Sequence, residues 1–387
     1  MHAVIDFPGQ PGRCGHNFAN PSNIFVAWKI SDVPGVIAQA SASARRGAWA
    51  LGYIAYEAAP AFDASMRVYP PLANLPLACF AIYERPAEET QTDSDMPPDM
   101  HAPGFDIGGQ WLPTLDAAPA MACMEEIRRS IARGEVYQVN LTTRLRARFS
   151  GDGLAYFHAL RRAQPAGYGL YLDGGSWQVL SVSPELFFDW TGEGVLTAQP
   201  MKGTAPRHDD AQRDAAAARV MQESAKERAE NLMIVDLLRN DLSRVAAMGS
   251  VHVPVLFEAH ALPTVWQMTS TVRCRTRGDV GLDDIFAALF PCGSVTGAPK
   301  LAAMQAIRAL ETSARGVYCG ALGVIRPGGH ATFSVAIRTV MVDAVAGIAE
   351  CGVGSGITWD SNVGSEWEEW QIKRRFLERA AGLAAGG

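Results

Sequence analysis

The sequence has no excess of positive charge, no cysteines at ligand or redox spacing, and no apolar run of membrane-spanning length. Its net charge of −6 gives no reason to expect nucleic acid or an anionic membrane as a partner. The seven cysteines are scattered and form no CxxC or Cys/His pattern, which favours reduced thiols in a cytoplasmic protein. No basic segment followed by an apolar core opens the chain, so we expect no signal peptide.

An acidic, proline-rich stretch divides a chain that shows no obvious internal repeat. With 387 residues, 48% of them hydrophobic, the chain has material for a large core or for several domains. Residues 86–110 are poor in branched apolar side chains and read as an exposed connector. We therefore predict an N-terminal segment, 1–85, that packs on a large C-terminal region, 111–387.

The C-terminal region mixes helical and strand periods. Short Gly-containing turns at 173–175 and 327–329 join consecutive strands, which favours antiparallel hairpins over parallel βαβ units. We predict an α+β fold with antiparallel sheets and helices packed outside. The predicted helices are 117–133, 209–247 and 361–385, and the predicted strands are 136–149, 167–173, 176–190, 194–202, 317–326, 331–343 and 346–353.

Lys202 stands at the end of an apolar strand, directly before Gly203, which lets the backbone turn. A lysine held in a buried place can lose its proton and act as a nucleophile, because burial disfavours the ammonium form. A solvated lysine at a strand end is the structural alternative.

Two predicted helices carry carboxylates on one face. Like charges at these spacings are compatible with solvated helix faces. If the two faces converge, the carboxylates need a cation, and an oxygen-only ligand set suits Mg²⁺. The residues are Glu223, Glu227 and Glu230 on one helix, and Glu366 and Glu369 on the other, with Lys373 one turn further.

Three further features have a structural and a functional interpretation. The glycine-rich segment 290–300 lacks the GxxxxGK[ST] spacing, which excludes an ATP loop but leaves a helix N-terminus for an anion. The run 352–356 is a flexible turn or a place where backbone approaches a ligand. Arg338 shares a strand face with Ser334 and Ala336, and serves in an ion pair or in carboxylate recognition.

Several long motifs, taken in their order along the chain, resemble the chorismate-utilising enzymes, and within them the aminodeoxychorismate synthase branch. The resemblance covers about 117–380, and the motifs are GEVYQVNLT at 134–142, SPE at 183–185, PMKGT at 200–204, RAENLMIVDLLRND at 228–241, the loop 293–300, the strand that ends at 338–339, and 352–369. It implies antiparallel sheets stacked in a sandwich with helices outside.

The resemblance also implies a site. Mg²⁺ would be held by Glu230 and Glu369, with Glu227 and Glu366 as outer or water-mediated partners. The implied catalytic residues are Lys202, whose amine would add to C2 of chorismate and expel the C4 hydroxyl, and Glu185 as general acid and base. The implied substrate-binding residues are Thr204, Thr296, Tyr318, Arg338, Gly354, Gly356 and Lys373.

Two side chains separate this branch from its relatives. Relatives that make anthranilate, isochorismate or salicylate typically carry a small residue in place of Lys202, and pyruvate-eliminating relatives keep a histidine where this chain has Gln267. None of the cysteines lies in a Gly-x-Cys-x-Gly nucleophile motif, so we expect ammonia to come from a separate glutamine amidotransferase. An anthranilate synthase component I and a non-catalytic ligand-binding subunit are the alternatives.

Overall fold

A computed structural model describes residues 1–9, 12–89, 104–165, 167–262 and 265–382. Its strands are β1 (His2–Gly9), β2 (Gly12–Phe18), β3 (Asn23–Ala27), β4 (Trp49–Ile54), β5 (Ala78–Tyr83), β6 (Glu88–Glu89), β7 (Phe105–Pro113), β8 (Gln138–Gly151), β9 (Tyr168–Asp173), β10 (Trp177–Ser183), β11 (Leu186–Trp190), β12 (Val195–Gln199), β13 (Met201–Pro206), β14 (His252–Ala261), β15 (Val265–Arg275), β16 (Gly297–Ala298), β17 (Ala321–Ile325), β18 (Ala331–Val335), β19 (Thr339–Asp343) and β20 (Ile348–Ile357). Its α-helices are α1 (Val33–Arg45), α2 (Ala117–Ala132), α3 (Gly153–Ala163), α4 (Ala211–Glu223), α5 (Ala225–Ser243), α6 (Leu282–Leu289), α7 (Lys300–Leu310) and α8 (Val363–Ala380).

The strands form two antiparallel sheets, which confirms the predicted α+β class. The first sheet runs in the order β16-β8-β20-β19-β10-β9-β1-β2-β6, with β7 paired to β8. The second runs β13-β15-β12-β11-β18-β17-β4-β5-β3, with β14 paired to β15.

Successive side chains of a strand point to opposite faces of its sheet, so each sheet has an inner and an outer face. The two inner faces pack together as a sandwich, and helices cover both outer faces. On β4, Leu51 and Tyr53 enter a core between the sheets that also contains Leu170 and Leu172 of the first sheet. Residues of the opposite parity on β4 face a second core, which α1, α5 and α6 cover. A third core lies under α2, α3, α7 and α8 on the outer face of the first sheet. In the part of the chain that the structure describes, no helix has both the length and the apolar character to cross a bilayer.

The segment 1–85 contributes strands to both sheets. β1 pairs with β9, and β4 pairs with β17, so this segment is hydrogen-bonded into the same sheets as the C-terminal region. The last residues of the predicted connector, from Phe105 onward, belong to β7, which pairs with β8. Residues 90–103 of that connector lie outside the described residues, and the predicted domain boundaries stay a prediction.

Several predicted elements are in fact two. The helix predicted over 209–247 breaks at Ser224, whose ψ is 117° and whose hydroxyl caps α5 by accepting the N–H of Glu227. Glu223 therefore ends α4 and does not share a helix with Glu227 and Glu230 as predicted.

The run 352–356 is not a turn, because all of it lies within β20 and pairs with β8.

Three of the predicted long strands are also divided. The strand over 194–202 divides at Pro200 into β12 and β13. The strands over 176–190 and 331–343 each change sheet: β10 and β19 belong to the first sheet, whereas β11 and β18 belong to the second.

Candidate active site

Glu185 and Arg338 lie where the chain crosses from one sheet to the other. Glu185 connects β10 to β11 just after Pro184, and Arg338 connects β18 to β19. The crossings are hydrogen-bonded to each other, since the Val335 N–H donates to the Glu185 carbonyl and the Val182 N–H donates to the Arg338 carbonyl. Arg338 has φ 49°, so it does not continue the strand face of Ser334 and Ala336 that the sequence predicted.

Lys202 lies in a β-bulge of β13. Met201 pairs with Thr269 and Thr204 with Gln267, so the segment between them is one residue longer than its partner on β15. Gly203 takes up the extra residue with φ 85°, a left-handed conformation that glycine adopts readily. The Gln267 side chain closes the bulge, because its Nε2 donates to the Gly203 carbonyl at 2.9 Å and its Oε1 accepts from the Thr204 hydroxyl at 3.3 Å.

The Lys202 amine points to the inner face of β20. A Cβ built on Gly356 would lie 3.1 Å from Lys202 Nζ and 2.7 Å from Nε2 of Gln138. Gln138 is fully buried, and neither its Oε1 nor its Nε2 has a hydrogen-bond partner in the described part of the chain. The Lys202 amine, the Gln138 amide and the backbone of Gly356 therefore lie close together.

Glu185 is buried beside this point. Burial raises the pKa of its carboxyl to about 7, although the Ser294 side chain and the charge of Lys202 oppose the rise. Its Oε1 atom has no hydrogen-bond partner among the described residues. Such a carboxyl can gain and lose a proton near neutral pH, as a general acid and base must.

The acidic residues of α5 and α8 influence one another across the site. Burial raises the pKa of Glu230, the charges of Lys202 and Lys226 oppose that rise, and the nearby charges of Glu227 and Glu366 add to it. Glu366 of α8 therefore lies within electrostatic reach of Glu230 on α5, as convergence of the two acidic faces would require.

The carboxylates of α8 already have partners. Glu366 is buried and accepts hydrogen bonds from the hydroxyls of Ser355 and Ser361. Burial alone would raise the pKa of Glu369, but the Lys373 ammonium at 2.6 Å, together with the charges of Lys202 and Lys226, holds the pKa below its usual value.

The carboxylates of Glu227, Glu230, Glu366 and Glu369 supply oxygen ligands, the type that a hard divalent cation prefers. A bound cation would also relieve the repulsion between Glu230 and its acidic neighbours. Across the described ranges, however, no three His, Cys, Asp or Glu side chains are grouped closely enough to hold a metal ion. The fit therefore concerns charge and ligand type, and the roles of Glu230, Glu369, Glu227 and Glu366 as ligands stay a prediction.

Gly354, Gly356 and Lys373 lie together. Gly354 and Gly356 are on the same face of β20, and Lys373 Nζ donates to the Gly354 carbonyl at 2.9 Å. Lys373 also contributes to the electrostatics of Glu185. Gly354, Gly356 and Lys373 thus connect β20 to α8 close to the Lys202 amine.

Arg338 has a free positive charge at the edge of this region. Its guanidinium hydrogen-bonds to the Gln164 side-chain oxygen and lies 5.9 Å from the ring centre of Phe376, one turn beyond Lys373 on α8. Burial lowers its pKa to about 10, and no carboxylate pairs with it within the described ranges. A guanidinium in this state favours an anionic ligand.

Thr296 and Tyr318 are both buried. The Thr296 carbonyl accepts from the Asn140 N–H, which fixes the loop against β8. The Tyr318 ring lies under Gly352 and 5.1 Å from the Arg144 guanidinium. Gly352 is four residues from Gly356, about 13 Å along a strand, so the Tyr318 ring lies further along β20 than the Lys202 amine, and its role in substrate binding stays a prediction.

Two residues that line the site were not recognised from the sequence as functional. The Ser294 side chain opposes the rise that burial causes in the pKa of Glu185, and Gln138 faces Gly356 beside Lys202. Strand alternation places Gln138 on the face opposite Val139, but the sequence does not say which face meets the other sheet. Lys300 ends the glycine-rich loop and is not free for an anion, because it pairs with Asp241 at 2.9 Å.

Solved structures of chorismate-utilising enzymes share this fold. Anthranilate synthase component I from Streptococcus pneumoniae TIGR4 superposes with a TM-score of 0.76 at 23% identity over 97% of this chain and 89% of its own. A putative 2,3-dihydroxybenzoate-specific isochorismate synthase from Bacillus anthracis gives 0.77 at 19% identity over 98% and 96%. Residues 26–379 match the family described as chorismate binding enzyme, and the chain belongs to that family.

Three curated relatives are named as aminodeoxychorismate synthases or as an anthranilate synthase component. Aminodeoxychorismate synthase of Streptomyces pristinaespiralis is 45% identical over 264 residues, 68% of this chain and 36% of that protein. Aminodeoxychorismate synthase component 1 of Salmonella typhimurium is 38% identical over 265 residues, 68% of this chain and 58% of that protein. Anthranilate synthase component 1 of Saccharolobus solfataricus is 32% identical over 378 residues, 94% of this chain and 86% of that protein. The chain thus spans about a third to three fifths of the length of the first two relatives.

Proposed function

We propose that this chain is an aminodeoxychorismate synthase component I, which converts chorismate and ammonia to 4-amino-4-deoxychorismate. The observation that carries the proposal is the Lys202 amine beside Gly356, within the electrostatic reach of Glu185, Glu230 and Glu369. The two relatives named aminodeoxychorismate synthase support it. The product would serve para-aminobenzoate and folate synthesis.

Lys202 acts as the nucleophile. Its uncharged amine forms a bond to C2 of the ring, the two conjugated double bonds shift, and the C4–oxygen bond breaks. Ammonia then forms a bond at C4, the double bonds shift back, and the C2–nitrogen bond to Lys202 breaks. The amine is thus both nucleophile and leaving group, and one difficult substitution becomes two easier ones.

Glu185 handles the protons of these steps. In its protonated form it gives a proton to the departing C4 hydroxyl, which leaves as water, and the resulting carboxylate accepts a proton from the incoming ammonia. The pKa of Glu185, raised by burial to about 7, lets both forms be populated at neutral pH. Arg338 and Lys373 bind the substrate carboxylates, and Thr204, Thr296, Tyr318, Gly354 and Gly356 complete the substrate site.

Mg²⁺ would be held by Glu230 and Glu369, with Glu227 and Glu366 as outer partners. When bound, it would neutralise a substrate carboxylate and orient the ring. Lys202 and Lys226 offset part of the negative charge of these carboxylates.

A separate glutamine amidotransferase would supply the ammonia. The component 1 name of the Salmonella relative supports a partner component. The described cysteines at 79, 123, 274, 292, 319 and 351 are free thiols, which supports a reducing, cytoplasmic setting.

Intact-protein mass spectrometry during turnover with chorismate, Mg²⁺ and an ammonium salt tests the proposal. We expect a chorismate-derived adduct on the unaltered chain and none on Lys202→Ala. The matched control is Lys226→Ala, which removes a neighbouring ammonium that pairs with Glu230 at 3.9 Å and should keep the adduct. An adduct that persists in Lys202→Ala removes Lys202 from its assigned role.

An anthranilate synthase component I is the second candidate, because the Saccharolobus relative matches nearly the whole chain. The two reactions differ in whether the enolpyruvyl group stays on the ring. Fluorescent anthranilate and released pyruvate, formed from chorismate, Mg²⁺ and ammonia, would favour this candidate over the first.

A further inference from the structure

The Glu366 carboxylate is held at both of its oxygens. The Ser355 hydroxyl lies 2.5 Å from Oε2, and the Ser361 hydroxyl lies 2.7 Å from Oε1. All three residues are buried. Ser355 belongs to β20 and Ser361 to the segment before α8, so two separate parts of the chain fix the plane of one carboxylate on α8.

The groups on the far side of the two hydroxyls decide where the hydroxyl protons point. The Trp370 indole Nε1 lies 2.9 Å from the Ser355 oxygen, and an indole N–H can only donate a hydrogen bond. The Ser355 oxygen is therefore the acceptor of that bond, and its own proton is left for Glu366. In the same way the Thr358 N–H donates to the Ser361 oxygen at 3.1 Å, which leaves the Ser361 proton for the carboxylate.

The Glu366 carboxylate lies between the surroundings of Lys202 and the acidic face of α5. Ser355, which donates to it, is the neighbour of Gly356, and Gly356 lies beside the Lys202 amine. Burial raises the pKa of Glu230 on α5, and the charge of Glu366 adds to that rise. The carboxylate that the two hydroxyls hold therefore contributes to the negative potential in which Mg²⁺ is proposed to bind.

We propose that Ser355 and Ser361 are positioning residues for Glu366: their hydroxyls hold its carboxylate in one orientation before a divalent cation binds. The proposal rests on the proposed function, in which the acidic residues of α5 and α8 hold Mg²⁺. A carboxylate that is fixed in advance loses little rotamer freedom when a cation binds, so the affinity exceeds that of a freely rotating side chain. Groups that orient the ligands of a metal typically contribute a factor of about ten to a hundred to its affinity.

Calorimetric titration of the chain with MgCl₂, without chorismate, tests this assignment. Ser355→Ala and Ser361→Ala each remove one hydroxyl, and each should raise the Kd for Mg²⁺ by about tenfold. Ser361→Thr, which keeps the hydroxyl, should restore the affinity. The two serines act on different oxygens, so if one alanine variant fails to fold, the other decides. An unchanged Kd in a folded alanine variant overturns the assignment, and so does an unaltered chain that binds no Mg²⁺.

Ser43→Ala is the matched control. The Ser43 hydroxyl is also buried and also both donates and accepts, since it donates to the Gln39 carbonyl at 2.9 Å and accepts from Arg46 at 3.2 Å. It lies on α1, on the outer face of the second sheet. Its loss should leave the Kd for Mg²⁺ unchanged. An equal rise of the Kd in Ser43→Ala would show that the loss of any buried hydroxyl weakens binding, and would overturn the assignment.

The indole N–H resonance of Trp370 reports on the hydrogen bonds themselves. In nuclear magnetic resonance spectra of the isotope-labelled chain it is identified by its loss in Trp370→Phe. Ser355→Ala removes the acceptor of this N–H and should move the resonance upfield, whereas Ser361→Ala should leave it in place. A resonance that does not move in Ser355→Ala overturns the direction assigned to the Ser355 hydroxyl.

Chorismate consumption with ammonia and Mg²⁺ separates the two proposals. A Kd that rises in both alanine variants of a chain that consumes no chorismate would overturn the proposed function and leave the assignment of the serines standing. Turnover by the unaltered chain, with the same Kd for Mg²⁺ in the unaltered chain and in both variants, would overturn the assignment of the serines alone.

Discussion

Substitution of Gly356 by alanine is the most direct probe of the space around Lys202. The new methyl group would lie 2.7 Å from Gln138 Nε2 and 3.1 Å from Lys202 Nζ. The backbone of Gly356 is in an ordinary strand conformation, so alanine brings no conformational strain. The whole effect therefore comes from crowding two side-chain ends.

The size of the effect follows from these two distances. Optimal separation of non-bonded heavy atoms is about 3.5–4.0 Å, so the Gln138 amide must retreat by about 1 Å and the Lys202 amine by a few tenths of an ångström. Both atoms end flexible side chains, and we expect the overpacking to lower the free energy of unfolding by about 1 kcal/mol, the low end for buried sites. A misplaced nucleophile is far more costly, since about 1 Å can reduce a rate about a hundredfold. Gly356→Ala should lose between about tenfold and a hundredfold in turnover while it stays folded.

Chorismate consumption with saturating ammonium measures the turnover, and thermal unfolding measures the stability. Gly278→Ala is the control, because a Cβ at that exposed position would meet no atom within 4 Å. Full turnover in Gly356→Ala, with an unchanged melting temperature, would show that the amine next to Gly356 takes no part in the reaction. A variant that fails to fold would refute the premise that the crowded atoms can move aside.

One further variant tests the bulge that carries Lys202, and another tests the buried carboxyl of Glu57. Gln267→Ala removes the donor to the Gly203 carbonyl and loosens the bulge that carries Lys202. It should lower kcat about tenfold with little change in KM, whereas Gln222→Ala, which breaks a similar bond at 2.9 Å to a carbonyl outside the bulge, should not; equal losses would contradict the role of the bulge. Burial raises the pKa of Glu57 from 4.5 to about 7. The folded state therefore binds this proton more tightly, and the resulting stability, full below about pH 4.5, is lost as the pH rises through 7. Denaturant unfolding at pH 5 and 8 should show the unaltered chain losing about 2 kcal/mol relative to Glu57→Gln, and parallel pH profiles would refute this.

Local sequence patterns predicted whether most segments are helices or strands, but not where one predicted element divides into two. Apolar alternation runs through 176–190 and 331–343 without a break, because residues on both sides of each crossing are buried. A strand that leaves one sheet and joins the other keeps its period, so the crossing is invisible to periodicity. Only Pro184 marked one of the crossings, since proline cannot donate to a ladder.

Candidate site residues could be predicted where neighbouring residues form a motif. They could not be predicted where packing brings distant segments of the chain together. Lys202 with Gly203, and the carboxylates of the two helices, are recognisable by residue type and spacing. Gln138 faces Gly356 and the Lys202 amine only because β8 pairs with β20, which lies far along the chain. No spacing rule connects these three positions.

The two sheet crossings place Glu185 and Arg338 by hydrogen bonds between backbone groups. The solved structures that share this fold are only 23% and 19% identical to this chain, so the fold alone does not establish the reaction. In the proposed mechanism the nucleophile is Lys202, which lies on a bulge that has two fixed ladder pairs and a glycine between them. Because the bulge depends on Gly203 and on the clamp from Gln267, the chemistry of the site can change there without any change in the sheets.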